Sequence, residues 1–423
     1  MQEFLQRLRA GLESGDWMNK RRITAYASIL LAFEVAAFLF VVAGTYGWVV
    51  PLDRPNTTDF VSFYAAGSLA DSGVAQATYD HARHLAAEEK ATEHGIGYVL
   101  FVYPPVFMLL CAGLARLPYL AAFALFEGAT LAPAMLVLRR ITGERGWKAF
   151  IPLLAFPAVA INIGMGQNAL LTAALFGGAT LLIDRRPFVA GLLFGALCYK
   201  PHFGLLIPLA LVMAGQWRAI AGAATSAVAL ISLSIATLGW QSWVAFIVAI
   251  TGSHTIYESG QVDFAAFVSS FGAVRLMGGG PELAYAVQGA VSVAAAALVA
   301  VVWRRGLSLP TRAATLAAAT LVALPLILFY DFMLAGIAMA WLVRAGREGG
   351  FMPWEKTVLL TAFVAPLLSR GFGSSFHVPI ATIAAFALLA LCAVRAYREL
   401  RAAEPRTTGY RLPMLEAHSL ATS

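Results

Sequence analysis

Long apolar runs separated by short polar connections dominate the chain from about residue 23 to about residue 396. A helix that spans a bilayer needs about 17–25 mostly apolar residues, and twelve runs reach or approach that length. They lie at about 23–50, 119–138, 148–164, 168–183, 187–199, 203–215, 219–238, 284–303, 313–329, 332–345, 354–369 and 376–396. The pattern predicts an all-α integral membrane protein, a polytopic bundle of about 12 transmembrane helices.

Two pairs of runs are short and meet at a charged residue. The runs around Lys200 and around Asp331 have only about 13–17 residues on each side, less than a full span. In the first pair, "CYKPHFG", a proline follows the lysine, and proline interrupts a helix because it has no backbone N–H. We expect tilted or broken helices that meet at a polar site within the membrane boundary.

The segment "FVYPPVFMLLCAGLARLP", residues 101–118, decides the topology. It has only about 15 apolar residues, so we interpret it as a re-entrant or surface-lying segment and not as a crossing. Both termini then lie inside with basic pairs such as Arg139 and Arg140, as the positive-inside rule requires. Residues 1–400 are predicted to form one transmembrane domain with outer loops at about 51–118 and 239–283, and residues 401–423 a disordered cytoplasmic tail.

The composition agrees with a membrane protein. Of the 423 residues 60% are hydrophobic and 13% charged, and the mean hydropathy is +0.74, whereas an ordinary soluble domain has roughly 25% charged residues. The net charge of +7 is therefore attributed to basic inner loops, and no nucleic-acid partner is expected. The three cysteines lie in apolar runs without metal-ligand spacing, and we predict neither a metal site nor a cofactor.

Polar residues collect at the predicted outer ends of the helices, where ionisable groups are costly and therefore candidates for function. They are Asp59, Tyr103, Gln167, Asn168, Lys200, His202, His254, Asp263, Tyr330, Asp331, Arg370 and His377. Simpler interpretations stay open for several of them. Asp59, and Gln167 with Asn168, can cap helix N-termini, Arg370 and His377 can be interfacial residues, and His202 can be structural. Lys200 is the clearest candidate for binding an anion.

Five stretches together resemble one known family. "DFVSFYAAG", "FVYPPVF", "GQNALLTAALF", "AGLLFGALCYKPHFGLLIP" and "LILFYDFML" occur in this order, and the chain resembles glycosyltransferase family 87 over about residues 23–370. The resemblance implies the C-type glycosyltransferase fold and a multi-pass enzyme of the bacterial inner membrane with its active site facing the periplasm. It implies transfer of a hexose such as mannose, with inversion, from a polyprenyl-phosphate sugar donor to a glycan or glycolipid acceptor.

The resemblance also suggests roles for residues. Asp59 is similar to the family's catalytic aspartate, whereas Tyr330 stands near a position where many relatives have a histidine. The chemistry of an inverting transfer is consistent with a single catalytic carboxylate. The reaction needs a base for the acceptor hydroxyl and a cation for the departing phosphate. Lys200, His202 and Arg370 are expected to bind the donor phosphate, and the remaining substrate contacts are assigned to Tyr103, Gln167, Asn168, Tyr330 and Asp331.

Two other classes of protein remain open at this point. A transporter or flippase for a lipid-linked sugar would also use broken helices around a polar site, although here the polar residues gather at one face. A non-catalytic subunit of an envelope assembly is the third possibility.

Overall fold

The computed structural model describes residues 1–45, 58–252 and 258–403. In these residues the structure is helical, and its only β-structure is an isolated antiparallel bridge between Phe267 and Leu328. The α-helices are α1 (Gln2–Ser14), α2 (Lys20–Thr45), α3 (Phe60–Asp71), α4 (His81–Ala91), α5 (Pro105–Leu114), α6 (Tyr119–Thr142), α7 (Phe150–Leu154), α8 (Pro157–Met165), α9 (Ala169–Leu182), α10 (Pro187–Ala196), α11 (Ile207–Met213), α12 (Trp217–Leu238), α13 (Trp240–Gly252), α14 (Ser270–Leu276), α15 (Pro281–Arg304), α16 (Leu309–Ala323), α17 (Met333–Gly349), α18 (Glu355–Phe376) and α19 (Ile380–Ala403).

Seven of the described helices are long and apolar enough to cross a membrane: α2, α6, α12, α15, α17 with its preceding turn, α18 and α19. An eighth span results if α7 and α8, which meet at a bend of 68°, count as one. Six further apolar helices have only 10–17 residues. The all-helical, multi-pass membrane prediction is therefore confirmed, whereas the predicted number of twelve spans and the C-type fold are not.

Helices α16 and α17 form the centre of the bundle. Every residue of α16 from Pro310 to Ala323 is buried, and α15, α17 and α19 pack directly against it. The alanine-rich sequence of α16 favours this position, because small side chains let neighbouring helix backbones approach closely in a membrane. The surrounding helices therefore hold α16 and α17 in fixed positions. The segment between these two helices contains Asp331.

Both predicted helix breaks are present. After α10 ends at Ala196, two short 3₁₀ turns flank Lys200 before α11 begins at Ile207. After α16 ends at Ala323, extended residues and a 3₁₀ turn, Phe329–Phe332, precede α17. The first break places Lys200 after the short helix α10, and the second places Asp331 in the turn directly before α17.

The segment after residue 57 folds into a compact helical unit that consists of α3, α4 and α5. Helices α3 and α5 lie so close that a Cβ atom on Gly67 would come within 2.1 Å of the Cys111 carbonyl oxygen. Helix α5 has 10 residues and is thus about 15 Å long, half the thickness of the hydrocarbon core. This length agrees with the interpretation that residues 101–118 do not cross the membrane.

Several sequence predictions fall wholly or partly outside the described residues, including residues 46–50 of the first predicted span and residues 253–257 of the second predicted outer loop. Helix α19 continues to Ala403, so residues 401–403 of the predicted tail are helical, and the rest of the tail is not described. His254 and the first part of the predicted outer loop, residues 51–57, also lie outside the described residues.

Candidate active site

Asp59 precedes the first residue of α3, the position of a helix cap, but its side chain does not cap the helix. Instead, the carboxylate accepts a hydrogen bond of 2.8 Å from the Gln167 side-chain nitrogen. The backbone N–H of Asp59 donates to the carbonyl oxygen of Met165 at the end of α8, at 2.7 Å. The structure therefore holds Asp59 in place through α8 and the residues after it, and leaves its carboxylate oriented toward Gln167.

The turn between α8 and α9 brings Gln167 to this position. Gly166 ends α8 in the left-handed region with φ of 66°, and a Cβ atom there would lie 2.7 Å from the Cβ atom of Phe60. Only glycine tolerates both this conformation and this close approach. The side-chain oxygen of Gln167 accepts a hydrogen bond of 3.2 Å from the Tyr103 hydroxyl, so Tyr103, Gln167 and Asp59 form one chain of hydrogen bonds.

Lys200 and Asp331 form a buried ion pair beside this chain. The Lys200 Nζ atom lies 2.7 Å from Oδ1 of Asp331, although the two residues are 131 positions apart, and each side chain is only 3% exposed. The ammonium also lies 5.2–5.9 Å from the ring centroids of Tyr103, Phe203 and Tyr330. These cation–π contacts favour a lysine that keeps its charge in a desolvated position. Tyr103 thus links the carboxylate of Asp59 to the Lys200–Asp331 pair.

The electrostatic surroundings raise the affinity of Asp59 for a proton. Burial raises the pKa of the Asp59 carboxyl above its ordinary value, because the charged form loses solvation. The hydrogen bond from Gln167 lowers the pKa, and the negative charge of Glu88 raises it further. A carboxylate whose pKa is moved toward neutral pH is a better proton acceptor than an ordinary exposed one.

The neighbouring Glu88 belongs to a buried cluster that the sequence did not reveal. His84 and Glu88, one turn apart on α4, are both fully buried, with Nε2 of His84 lying 3.4 Å from Oε1 of Glu88. The same nitrogen is 3.1 Å from the hydroxyl of Ser62, which lies on the first turn of α3 after Asp59. The other oxygen of Glu88 accepts the backbone N–H of Val99. The polar composition of "HARHLAAEEKATEHG" is typical of a surface helix, but one face of it supports the start of α3.

The structure separates the other predicted residues into two groups. Asn168 and Tyr330 are buried next to the cluster, and Asn168 is fully buried with no hydrogen bond from either side-chain atom to a described residue. Asn168 precedes α9 without capping it through its side chain. His202 and Arg370 are exposed, with His202 against the Phe203 ring and the Arg370 guanidinium 5.9 Å from the Phe329 ring. Neither therefore contacts the buried pair directly.

Asp263 and His377 lie elsewhere, along a groove formed by the segment before α14 and the end of α18. Among the described residues, no group of three or more His, Cys, Asp and Glu side chains is arranged to hold a metal ion. The candidate site thus consists of one partly buried carboxylate, an amide, three phenol or phenyl rings and one lysine–aspartate pair.

The comparisons with curated proteins and with solved structures found no match to this chain. The family model of glycosyltransferase family 87 matches residues 101–329, which include Tyr103, Gln167 and Lys200 and end two residues before Asp331. Asp59 and Arg370 lie outside the matched residues. Because this match covers more than half of the 423 residues, the chain belongs to glycosyltransferase family 87.

Proposed function

We propose that this membrane glycosyltransferase moves a hexose such as mannose, with inversion, from a polyprenyl-phosphate donor to a glycan or glycolipid acceptor. The reaction would take place at the periplasmic face of a bacterial inner membrane. The observation that carries the proposal is the Asp59 carboxylate, which does not cap its helix and is held by Gln167. Gln167 in turn accepts a hydrogen bond from Tyr103, whose ring lies 5.9 Å from the Lys200 ammonium. Family membership supports the sugar transfer itself.

In the proposed step, the Asp59 carboxylate accepts the proton of the acceptor hydroxyl while that oxygen attacks the anomeric carbon of the donor. The new glycosidic C–O bond forms as the bond from the anomeric carbon to the phosphate oxygen breaks, and the electron pair leaves with the polyprenyl phosphate. One carboxylate is enough, because a phosphate leaves without first being protonated, whereas a sugar leaving group needs a general acid. Attack from the face opposite the phosphate inverts the anomeric configuration.

Lys200 is the proposed contact of the donor phosphate. An ammonium has three N–H donors, and Lys200 uses one of them for Asp331. The other two have no hydrogen-bond partner among the described residues, so they remain for phosphate oxygens. Asp331 then holds the ammonium in position and offsets part of its charge before the donor binds. Lys200 would stabilise the growing negative charge on the leaving phosphate.

The remaining predicted contacts act at the edge of this site. Tyr103 and Tyr330, whose rings flank the ammonium, offer apolar faces of the kind on which a sugar ring packs, and the unpaired amide of Asn168 offers a donor and an acceptor. Arg370 lies on α18 over Phe329 at the surface, where it can attract the anionic donor as it approaches. His202 is proposed to donate a ring N–H to an oxygen of the donor phosphate.

A donor panel tests the proposal. Purified protein in proteoliposomes receives polyprenyl phosphates that carry radiolabelled mannose, glucose or arabinose, together with acceptor lipids extracted from the native membrane. We expect label from one donor in a new glycolipid, and a donor KM raised at least tenfold in the Lys200→Met/Asp331→Asn variant. This double change removes both charges and so leaves no unpaired buried ion. Equal donor KM values in variant and wild type would place the phosphate site elsewhere.

A further inference from the structure

A polar groove lies outside the candidate active site, and nothing in the proposed reaction uses it. It has a volume of about 630 Å³ and is lined by Asp263, Phe264, Arg275, Met277, Ser374 and His377. Small-molecule sites generally occupy about 300–1,000 Å³. We call it the Asp263 groove.

The charged side chains of the groove are fixed before any ligand arrives. One oxygen of Asp263 accepts the backbone N–H of Ala265 at 2.9 Å, and the other accepts the Ser374 hydroxyl at 3.3 Å. Arg275 donates to the carbonyl oxygens of Glu258 and Gly279, at 2.8 Å each, and its guanidinium lies 4.8 Å from the centroid of the Phe264 ring. A prearranged set of donors and acceptors lowers the entropy that binding must overcome.

Two further details describe the side chains at the groove. The Nε atom of Arg275 is buried without a hydrogen-bond partner among the described residues, and an unmade hydrogen bond of this kind carries a cost. His377 has a positive φ of 56°, which is uncommon for a residue other than glycine. This conformation ends α18 and places the imidazole at the groove. Helices commonly end with a residue in this left-handed conformation, and here it fixes the position of the imidazole at the groove.

The chemistry of the groove favours a neutral polyhydroxylated ligand over an anion. The charges of Asp263 and Arg275 offset each other, the terminal nitrogens of Arg275 already donate to backbone carbonyls, and the Asp263 carboxylate would repel a phosphate. A sugar hydroxyl can donate to Asp263 and accept from His377. A sugar ring therefore matches the mixed donors and acceptors better than a phosphate does.

The groove is joined to the candidate active site through the backbone. Val268 donates to the carbonyl oxygen of Ile327 at 2.9 Å, and the neighbouring Phe267 forms the β-bridge with Leu328. After Leu328 the chain enters the 3₁₀ turn that contains Asp331. The bridge thus connects the segment that follows Asp263 to the segment that precedes Asp331.

We propose that the Asp263 groove binds sugar residues of the acceptor glycan beyond the hydroxyl that reacts. The proposal rests on the proposed function, because only a glycosyltransferase that lengthens a glycan needs to hold more than one acceptor sugar. The groove then sets which glycans are extended.

The test is direct binding of soluble glycans to the purified full-length protein, measured by saturation-transfer NMR. The probes are millimolar trisaccharides of mannose, glucose, galactose and arabinose, with inorganic phosphate as competitor. The Asp263→Asn/His377→Gly variant keeps the local fold, because asparagine caps as well as aspartate and glycine accepts a positive φ. His94→Gly is the control, since His94 is an exposed histidine (its side chain is 93% exposed) away from the groove.

We expect at least one trisaccharide to give a signal that falls at least fivefold in the groove variant and is unchanged in His94→Gly. No signal from any trisaccharide, an equal signal in the groove variant, or displacement of the glycan by phosphate would overturn the proposal. The measurement needs no donor and no turnover. A protein that binds glycans through the groove but transfers no sugar would contradict the proposed function alone.

Discussion

Replacing Asp59 with asparagine separates a catalytic carboxylate from a helix cap. Asparagine has the same shape, and its side-chain oxygen can still accept the 2.8 Å hydrogen bond from Gln167. Losing the charge weakens that bond by about 1 kcal/mol, the difference between a charge-assisted and a neutral hydrogen bond. Removing a carboxylate that is costly to bury offsets this loss.

The sign of the stability effect follows from the pKa of Asp59. Burial raises that pKa in the folded state, so the folded protein binds the proton more tightly than the unfolded chain. The stabilising contribution of the protonated group is present at low pH and disappears as pH rises through the folded pKa. At neutral pH the ionised carboxylate therefore costs stability, and Asp59→Asn should unfold within about 2–4 °C of the wild type.

Activity should respond very differently, because an amide cannot accept the proton of the acceptor hydroxyl. A general base contributes about 10²–10⁴-fold to a rate, so turnover should fall by two to four orders of magnitude, about 3–5 kcal/mol of the barrier. The assay measures transfer and thermal unfolding on the same preparation. Donor KM should stay near the wild-type value.

Asp80→Asn is the matched control. Asp80 does cap its helix, accepting the backbone N–H of Arg83 at 2.9 Å, and asparagine caps equally well. This variant should keep both stability and activity. A folded Asp59→Asn protein that transfers sugar within tenfold of the wild-type rate would refute the catalytic role and return Asp59 to a structural one.

Three further predictions address the ion pair, the acidic neighbour and the topology. Lys200→Met leaves the carboxylate of Asp331 buried without its partner, at a cost of about 3–5 kcal/mol. The thermal unfolding midpoint of this single variant should therefore fall well below that of the double variant Lys200→Met/Asp331→Asn. Equal midpoints would contradict a buried ion pair. Glu88→Gln removes a charge that raises the pKa of Asp59, so the acidic limb of the kcat/KM profile should move to lower pH, and a move to higher pH would count against the pairing. A cysteine at Ser72 should react with an impermeant thiol reagent in intact spheroplasts, and reaction only after permeabilisation would place the 51–118 loop inside.

The two helix breaks were predictable because their causes are local. A charged residue at the end of a short apolar run, with a proline after Lys200, ends a helix in any fold. The pairing of Lys200 with Asp331 depends on how α10 and α17 each pack against α9, and the sequence indicated only that both breaks lie in polar positions at membrane depth. The number of spans was harder to predict, because runs such as α9 and α16 have 14 and 15 residues, between a buried core helix and a tilted span.

The role of α4 could not be predicted. Most of its residues are polar, and His84 and Glu88 have the i, i+4 spacing of an exposed ion pair. Only the packing of α4 on α3 shows that both are fully buried and contact Ser62. Likewise, the hydrogen bond that distinguishes Asp59 from a cap comes from Gln167, 108 residues away.

The most direct test of the central claim follows one labelled sugar in sealed proteoliposomes. Polyprenyl-phosphate mannose, labelled at the anomeric carbon, is supplied with acceptor lipids, and the product is examined by NMR while the leaflet of the remaining donor is monitored. The account predicts a glycolipid with the label in a new glycosidic bond of inverted configuration, formed by the wild type and lost in Asp59→Asn. Donor that crosses to the other leaflet with its sugar still attached, and no labelled glycolipid, would show a transporter and contradict the account.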